Sequence, residues 1–323
     1  MSGVAKAVLG VGMSAGAGLL GAALVGTRDF RVRQHVIRML ATGARPVRVL
    51  HVSDAHFVAG QQAKADFISG LAELHPDFVV STGDHVAFDS ALDEFLVAYA
   101  PLLNIPGVFV FGSNDYFPPT LRNPLVYLLS ERKRRLPQVA ESDWRRVRDT
   151  FVSAGWVDLS RARWTTELNG VPFEFRGTDD AHLGWDDYSL VAGPPDVASS
   201  EGGVAVGVTH APYTRVLDAF VADKLQLLIA GHTHGGQVCL PRLGAAEQHP
   251  LAGVTTVSPP VGRPLVTNCD LPPAMASGLF RYHDAWLHIS AGLGTSPYAP
   301  LRLNCPPEAC ILDLMPMSED AGQ

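Results

Sequence analysis

Five apolar runs of this 323-residue chain are each followed closely by Asp, Asn or His, and this arrangement constrains the fold more than any other feature. The runs are short and rich in Val, Leu, Ile and Phe, as in strands buried on both faces; they span residues 47–52, 78–81, 108–111, 204–208 and 227–230. The polar residues that follow them are Asp54, His56, Asp84, Asn114, Asp115, His210, His232 and His234. Because ligands in an open α/β sheet gather beyond the carboxyl ends of strands, we expect these side chains to converge on one rim.

Helical periodicity separates the first three runs, at residues 63–74 and 90–103. Strand, helix and strand in this order predict parallel β-α-β units, and so an α/β fold. The charged segment 130–153 is expected to be a further helix with a solvated Arg-rich face. Later strands are predicted at 164–168, 173–177, 287–290 and 309–314, and the Gly- and Pro-rich stretch 241–264 is expected to be a surface loop.

We divide the chain into three parts: an apolar N-terminal segment with a basic connector (1–45), one α/β domain (46–316) and a short tail (317–323). A composition of 47% hydrophobic and 18% charged residues is that of a globular protein with a sizeable core. The net charge of −7 argues against nucleic-acid binding, because phosphate contacts need clustered Lys and Arg. The four cysteines are expected to be free thiols, with a Cys305–Cys310 bridge as the less favoured alternative.

The N-terminal residues 7–26 carry no charge and are about long enough to span a membrane, although their Gly and Ala content makes insertion only modestly favourable. Arg28, Arg31, Arg33 and Arg38 follow this segment. Positive charge on that side favours a cytoplasmic main domain. We therefore favour a membrane-associated protein over the two alternatives, which are a cleaved export signal and a soluble cytoplasmic chain.

The polar blocks have the chemistry of a metal site. Side chains repeat every second residue in an extended chain, so Asp54 and His56 face one side, as do His232 and His234. Each residue alone has an ordinary explanation as a cap, a turn or a core histidine. Together they supply about the seven oxygen and nitrogen ligands of a two-metal hydrolytic site. Such mixed ligands suit two divalent ions, Mn, Fe or Zn, without choosing among them.

The ordered blocks Asp54-Ala55-His56, Gly83-Asp84, Gly112-Ser113-Asn114-Asp115, Thr209-His210 and Gly231-His232-Thr233-His234 resemble those of the calcineurin-like metallophosphoesterase family. Residues 290–296 and Cys305-Pro306-Pro307-Glu308 resemble its bacterial membrane-associated branch. The resemblance implies a four-layer α/β/β/α sandwich. It also implies that Asp54, His56 and His234 hold the first metal, that Asp84 bridges both metals, and that His210 and His232 hold the second.

One block departs from the family pattern Gly-Asn-His. With one inserted residue, Asn114 becomes a ligand of the second metal and Asp115 takes the place of the histidine; without it, Ser113 stands at the ligand position. We favour Asn114, because an amide carbonyl is a better ligand than a hydroxyl. The histidine that orients substrate or protonates the leaving group in the family is absent. Asp115 and His182 are our candidates for that catalytic role, with His85 as an alternative. Tyr116 and Arg302 are candidate contacts to the phosphate or the leaving group. The alternatives for these two residues are core packing for Tyr116 and a surface ion pair for Arg302.

The sequence thus predicts a metal-dependent phosphoesterase that activates water for in-line attack on phosphorus. A phosphodiester is favoured, because a weak general acid tolerates only a good or metal-assisted leaving group. A membrane anchor would further favour a lipid-linked or membrane-surface substrate. The alternative is a non-catalytic metal-binding scaffold or sensor, which the altered Gly-Ser-Asn-Asp block favours and the retention of the other six ligands opposes.

Overall fold

A computed structural model describes residues 18, 21–121, 140–197, 202–241 and 253–318. The helices are α1 (Gln62–Gly70), α2 (Leu92–Tyr99), α3 (Ser113–Tyr116), α4 (Trp144–Ser153) and α5 (Thr214–Ala222). The strands are β1 (Arg31–Leu40), β2 (Val47–Val52), β3 (Phe78–Ser81), β4 (Gly107–Phe109), β5 (Val157–Asp158), β6 (Arg163–Leu168), β7 (Val171–Gly177), β8 (Val204–Thr209), β9 (Leu227–Ala230), β10 (Cys239–Leu240), β11 (Val254–Ser258), β12 (Arg263–Pro264), β13 (Gly278–Tyr282), β14 (Ala285–Ile289) and β15 (Glu308–Pro316).

Most strands belong to two mixed sheets. The first has the order β1-β15-β2-β3-β4-β5, and its strands β2 to β5 run parallel. The second has the order β11-β13-β14-β9-β8-β7-β6, with β14, β9, β8 and β7 parallel to one another. Strands β10 and β12 form a separate antiparallel pair. The parallel runs place the carboxyl ends of β2, β3 and β4 at one edge of the first sheet, and those of β8 and β9 at one edge of the second.

The two sheets pack face to face and helices cover their outer faces. Apolar side chains of the first sheet, such as Val49 and Phe78, pack in one core with Phe175 and Val206 of the second. Helices α1, α2 and α4 cover the outside of the first sheet, and α5 covers the outside of the second. These are the four layers of an α/β/β/α sandwich, so the predicted fold is confirmed.

Three segments differ from expectation. Residues 31–40, which were expected to lie in a basic connector, form strand β1, because buried His35, Ile37 and Leu40 face the core while Arg31 and Arg38 are exposed to water. The described part of the predicted loop 241–264 contains β11 and β12. The predicted helix 130–153 is helical at 144–153, whereas residues 122–139 lie outside the described chain.

The N-terminal apolar segment 7–26 lies largely outside the described residues, which include only 18 and 21–26 of it. Within the ranges that the structure describes, no helix combines the length and the apolar character needed to cross a membrane. All four cysteines are described and all are free thiols, so the expectation of unpaired cysteines is confirmed and a Cys305–Cys310 bridge is absent from the structure.

Candidate metal centre and active site

The strand ends bring six of the predicted ligands into two buried clusters. Asp54, His56, Asp84 and His234 form the first, and Asp84, His210 and His232 form the second; the ligand atoms of each cluster lie within 4.8 Å of one another. All six side chains are buried. The clusters share Asp84, so one carboxylate lies between the two groups of ligands.

The distances fit two adjacent cations. Asp84 Oδ2 lies 3.3 Å from His56 Nε2 and 3.5 Å from His210 Nε2, one from each cluster. Asp54 Oδ1 is buried and has no hydrogen-bond partner within the described part of the chain, although it lies 3.7 Å from His234 Nε2. A buried carboxylate oxygen without a partner is costly unless an ion satisfies it. The donor set of carboxylates and imidazoles therefore fits a dinuclear site.

Second-sphere hydrogen bonds orient the imidazoles. His210 Nδ1 donates to the carbonyl oxygen of Thr82 at 2.6 Å, and His234 Nδ1 donates to that of Gly294 at 3.2 Å, which leaves each Nε2 facing its cluster. Burial holds the pKa of His234 well below its ordinary value, so this imidazole is neutral. Burial alone would also lower the pKa of His210, but the Asp84 carboxylate holds it well above its ordinary value. The same negative field that favours a proton on His210 favours a metal cation.

The backbone is left-handed at five of the six clustered residues: φ is 50° at Asp54, 38° at His56, 53° at Asp84, 68° at His232 and 50° at His234. For residues other than glycine this conformation costs on the order of 1–3 kcal/mol and is concentrated at functional sites. A β-carbon at Gly112 would lie 2.6 Å from His210 Nε2 and would clash with the Asp84 carboxylate, so only glycine fits there. The strained backbone at these five residues and the close approach of Gly112 to Asp84 and His210 both serve to position the clustered side chains.

Asn114 contacts the shared carboxylate directly. Its backbone N–H donates to Asp84 Oδ1 at 2.8 Å, and its Nδ2 donates to Asp84 Oδ2 at 2.8 Å. A half-turn of this amide would present its oxygen at the same place, and oxygen is the atom that a cation binds. The structure thus brings the Asn114 side chain against the carboxylate that the two clusters share.

Asp115 lies behind the clusters and accepts four hydrogen bonds. Its Oδ2 accepts from the backbone N–H groups of Asp84 at 2.7 Å and Gly112 at 2.9 Å. Its Oδ1 accepts from the backbone N–H of His85 at 2.8 Å and from His85 Nδ1 at 3.0 Å. His85 Nε2 lies 2.8 Å from Ser81 Oγ, and the ring packs against Phe95 and three other aromatic rings. The structure thus brings neither Asp115 nor His85 onto the face where the clustered ligands meet.

His182 is half-buried beside the second cluster, with its ring centroid 4.6 Å from that of His232. Its Nδ1 lies 3.0 Å from the Tyr213 hydroxyl, and its backbone N–H donates to Asp180 Oδ1 at 2.8 Å. Asp180 is a residue that the sequence analysis missed: burial raises its pKa to about 7, and its Oδ2 has no hydrogen-bond partner within the described ranges. The sequence does contain a pattern that could have identified Asp180, because Asp179 and Asp180 follow the end of β7 as the other polar blocks follow their strands.

Tyr116 and Arg302 do not point at the clusters. The Tyr116 hydroxyl donates to Asp179 Oδ1 at 2.8 Å. The Arg302 guanidinium is buried and donates to the carbonyl oxygens of Ala291 at 2.6 Å and Gly294 at 2.6 Å, so a surface ion pair is wrong for this residue. Since Gly294 also accepts the hydrogen bond of His234, Arg302 supports the loop behind the first cluster.

Comparison with known proteins agrees with this geometry. The family described as calcineurin-like phosphoesterase matches residues 47–236, more than half of the chain. Phosphodiesterase YaeI of Escherichia coli (strain K12) is 25% identical over 291 residues, which cover 88% of each chain. Uncharacterized protein YpbG of Bacillus subtilis (strain 168) is 25% identical over 276 residues, or 84% of this chain and 82% of that one.

Among solved structures, the Phosphopantetheinyl Hydrolase (PptH) from Mycobacterium tuberculosis aligns with 85% of this chain and 98% of its own, at 12% identity and a TM-score of 0.39. The family assignment does not depend on this distant likeness. It depends on the family match and the long alignments with the two bacterial relatives. The chain belongs to the calcineurin-like phosphoesterase family and is a hydrolase acting on phosphoric ester bonds.

Proposed function

We propose that the chain is a phosphodiesterase with a dinuclear centre of Mn, Fe or Zn ions. The proposed ligands are Asp54, His56, Asp84, Asn114, His210, His232 and His234. The observation that carries the proposal is the pair of buried clusters that share the Asp84 carboxylate. A shared carboxylate offsets the charges of two cations held close together.

When bound, the two ions would supply Lewis-acid polarisation of the phosphoryl oxygens and would lower the pKa of water. The protein residues fix the geometry for this. Ser53 Oγ and the His232 backbone N–H both donate to Asp54 Oδ2, and the second of these bonds is 2.9 Å long. Asp54 Oδ1 is therefore the oxygen that remains for the first ion.

His182 is the proposed contact to the phosphate or the leaving group. Its place beside His232, on a loop that also carries Asp180, supports this role. We propose a positioning role for Asp115, because its four hydrogen bonds go to the turns that carry Asp84 and Asn114. This assignment revises the catalytic role that the sequence suggested for Asp115.

A diester is the proposed substrate class. Asp115 accepts four hydrogen bonds and is not available as a general acid, so protonation of the leaving group falls to His182 alone, and leaving groups that need strong protonation are disfavoured. The similarity to a bacterial relative named as a phosphodiesterase supports the same choice.

We also propose that the ester is carried by a lipid or lies at a membrane surface. Exposed apolar side chains, including Leu240, Leu265 and Val266, lie on and beside the β10–β12 pair. A β-carbon at Gly236, two residues after His234, would lie 2.9 Å from the Val266 carbonyl oxygen, so this apolar surface adjoins the first cluster. The backbone N–H of Arg302 donates to the carbonyl of Ala23 at 2.9 Å, which brings the end of the apolar N-terminal segment to the same region.

The test is hydrolysis of bis-p-nitrophenyl phosphate and p-nitrophenyl phosphate by the purified full chain with Mn²⁺, beside the variant Asp84→Asn. Asp66→Asn, at an exposed position on α1, is the matched control. We expect turnover that favours the diester, an almost complete loss in Asp84→Asn and unchanged activity in Asp66→Asn. Tight Mn²⁺ binding without turnover of either ester would instead identify a scaffold or sensor.

The lipid part of the proposal has its own test. Hydrolysis of a phospholipid diester in mixed micelles is compared between the full chain and Leu240→Ser/Leu265→Ser. We expect the variant to lose activity toward the micellar ester and to keep its activity toward bis-p-nitrophenyl phosphate. Equal activity of both proteins toward micelles would contradict a lipid-linked substrate.

A further inference from the structure

A second group of metal-ligating side chains lies between the two sheets, outside the clusters described above. His35 on β1, His288 on β14 and Cys310 on β15 place their ligand atoms within 4.8 Å of one another. His288 and Cys310 are completely buried and His35 is 6% exposed. The core between the sheets is otherwise built largely of apolar side chains such as Ile37 and Leu312. Cys310 Sγ already has polar neighbours in Ser290 and Glu308, so the two imidazoles are the groups that require a compensating interaction.

The two imidazoles present buried nitrogen atoms with no partner. Nε2 of His35 and Nε2 of His288 are both inaccessible to solvent and make no hydrogen bond within the part of the chain that the structure describes. A buried polar atom without a hydrogen-bond partner destabilises the folded chain. Two such atoms, on rings that cluster with one thiol, form an arrangement that a bound cation would satisfy.

A chain of hydrogen bonds fixes the tautomer of His288. Ser53 Oγ donates to Asp54 Oδ2 and accepts from Thr82 Oγ1 at 2.6 Å. The Thr82 proton is thereby used, so His51 Nε2, 2.8 Å away, is the donor to Thr82. In a singly protonated ring with its proton on Nε2, Nδ1 is an acceptor. His288 Nδ1, 3.0 Å from it, must then carry the proton.

His288 therefore keeps a lone pair on Nε2, the ring nitrogen that makes no hydrogen bond within the described ranges. This is the usual state of a metal-binding histidine, which donates its other ring N–H to a second-sphere partner. Here the partner is His51. The orientation of His288 is thus set before any ion binds.

We propose that His35 Nε2, His288 Nε2 and Cys310 Sγ bind a third, structural metal ion, a thiophilic cation of the Zn²⁺ or Cu⁺ type. One thiolate and two imidazoles are ligands that both ions accept and that Mg²⁺ and Ca²⁺ do not prefer. With Cu⁺ the site is neutral, whereas Zn²⁺ leaves one positive charge beside buried Glu308, two residues before Cys310 on the same strand. Because the ligands come from both sheets, the ion would cross-link β1 and β15 of the first sheet to β14 of the second.

Binding breaks only the S–H bond of Cys310: the thiolate becomes a ligand, the proton passes to solvent, and no electrons are transferred. Since the ligands are buried, the ion enters while the chain folds. The test is therefore to unfold the purified full chain with a chelator and refold it under reducing conditions with Co²⁺. We expect a near-ultraviolet thiolate-to-cobalt charge-transfer band, which the dinuclear centre cannot produce because its ligands are oxygen and nitrogen atoms.

Three variants distinguish the proposed site from the other cysteine tested and from the dinuclear centre. We expect the band to disappear in Cys310→Ser, to remain in Cys269→Ser, whose cysteine lies outside the cluster, and to remain in Asp84→Asn, in which the dinuclear centre is impaired. Failure of the phosphodiesterase proposal would leave these results unchanged. Persistence of the band in Cys310→Ser would place the thiolate elsewhere and overturn the proposal.

A wild-type measurement keeps the proposal testable if Cys310→Ser does not fold. Protein refolded separately with Zn²⁺ and with anaerobic Cu⁺ is analysed for metal content and by X-ray absorption. A bound ion with one sulfur neighbour and two imidazoles supports the site, and the ion retained in competition identifies the metal. The site is refuted if the refolded wild type shows neither a cobalt–thiolate band nor a sulfur-ligated zinc or copper ion.

Discussion

The carboxylate of Asp115 holds the backbone of Asp84, because its Oδ2 accepts the Asp84 N–H at 2.7 Å. The same oxygen accepts the Gly112 N–H at 2.9 Å. One side chain thereby ties the turn after β3 to the turn after β4, and these turns carry Asp84 and Asn114. The hydrogen bonds of Asp115 therefore reach these two turns through their backbone N–H groups.

Asp115→Asn is expected to weaken Mn²⁺ binding by about 10–100-fold, as loss of a second-sphere partner commonly does. Either orientation of the new amide places its NH₂ group against two N–H donors, so two hydrogen bonds are lost. Isothermal titration with Mn²⁺ measures the change, with Asp66→Asn as control. Unaltered Mn²⁺ affinity together with a lower kcat would show that Asp115 acts in the chemical step instead.

Gly112→Ala is expected to abolish detectable binding of the second metal, because the new methyl group would overlap the Asp84 carboxylate and crowd His210. Gly70→Ala is the matched control, since a β-carbon there meets no atom within 4 Å. Metal content per chain and melting temperature are measured for both. Two bound ions in Gly112→Ala would show that the site tolerates a β-carbon at this position and would contradict the geometry.

His182→Gln is expected to lower kcat by about 100-fold for diesters with poor leaving groups and only a few-fold for bis-p-nitrophenyl phosphate, as loss of a general acid does. Mn²⁺ content should stay at the wild-type level. The measurement is a series of aryl phosphodiesters of increasing leaving-group pKa. A uniform loss across the series would assign His182 to substrate binding and not to proton transfer.

Lys64 gives the chain a distinctive alkaline stability profile. Burial, with a smaller effect of the Arg302 charge, lowers the pKa of Lys64 from 10.5 to about 7, while Nζ donates to the Ala55 carbonyl at 2.7 Å. Between pH 7 and pH 10.5 the unfolded chain therefore binds more protons than the folded one. The contribution of Lys64 to stability is complete above pH 10.5 and is lost as the pH falls toward 7, by up to about 1.4 kcal/mol per pH unit.

We therefore expect the unfolding free energy of the wild type, relative to Lys64→Met, to rise between pH 7 and pH 9 at roughly 1.4 kcal/mol per unit. Urea unfolding at both pH values measures this difference. Lys224→Met, at an exposed position, should show no such trend. Parallel pH profiles of the wild type and Lys64→Met would contradict a depressed pKa.

The strands that the sequence predicts well are those whose burial is visible locally. Residues 204–208 and 227–230 are apolar at nearly every position because both faces of these strands are covered, by the other sheet and by α5. Strand β1 lacks that signal, since it has one exposed face, several Arg residues, and a parallel partner, β15, at the far end of the chain. Only the tertiary pairing makes it a strand.

The residues of the site also fall into those that the sequence predicts and those that depend on tertiary contacts. The convergence of Asp54, Asp84 and His210 follows from strand order, because parallel strands present their carboxyl ends together. The position of Asp115 does not, since its four donors come from two turns that local sequence does not bring together. The residues that form the clusters are therefore recognisable from the sequence, whereas the hydrogen bonds of Asp115 become visible only in the folded chain.

Strand β1 also protects the chain from unwanted association. It covers the outer edge of β15, along which Cys310 and Leu312 are buried. A chain shortened to begin at Pro46 would expose that edge as a nine-residue row of unpaired backbone groups, which is a template for strand addition by another molecule. Residues 31–40, in which Arg31 and Arg38 are exposed, thus keep the sheet from growing outward, so fragments of this protein that omit them are expected to aggregate.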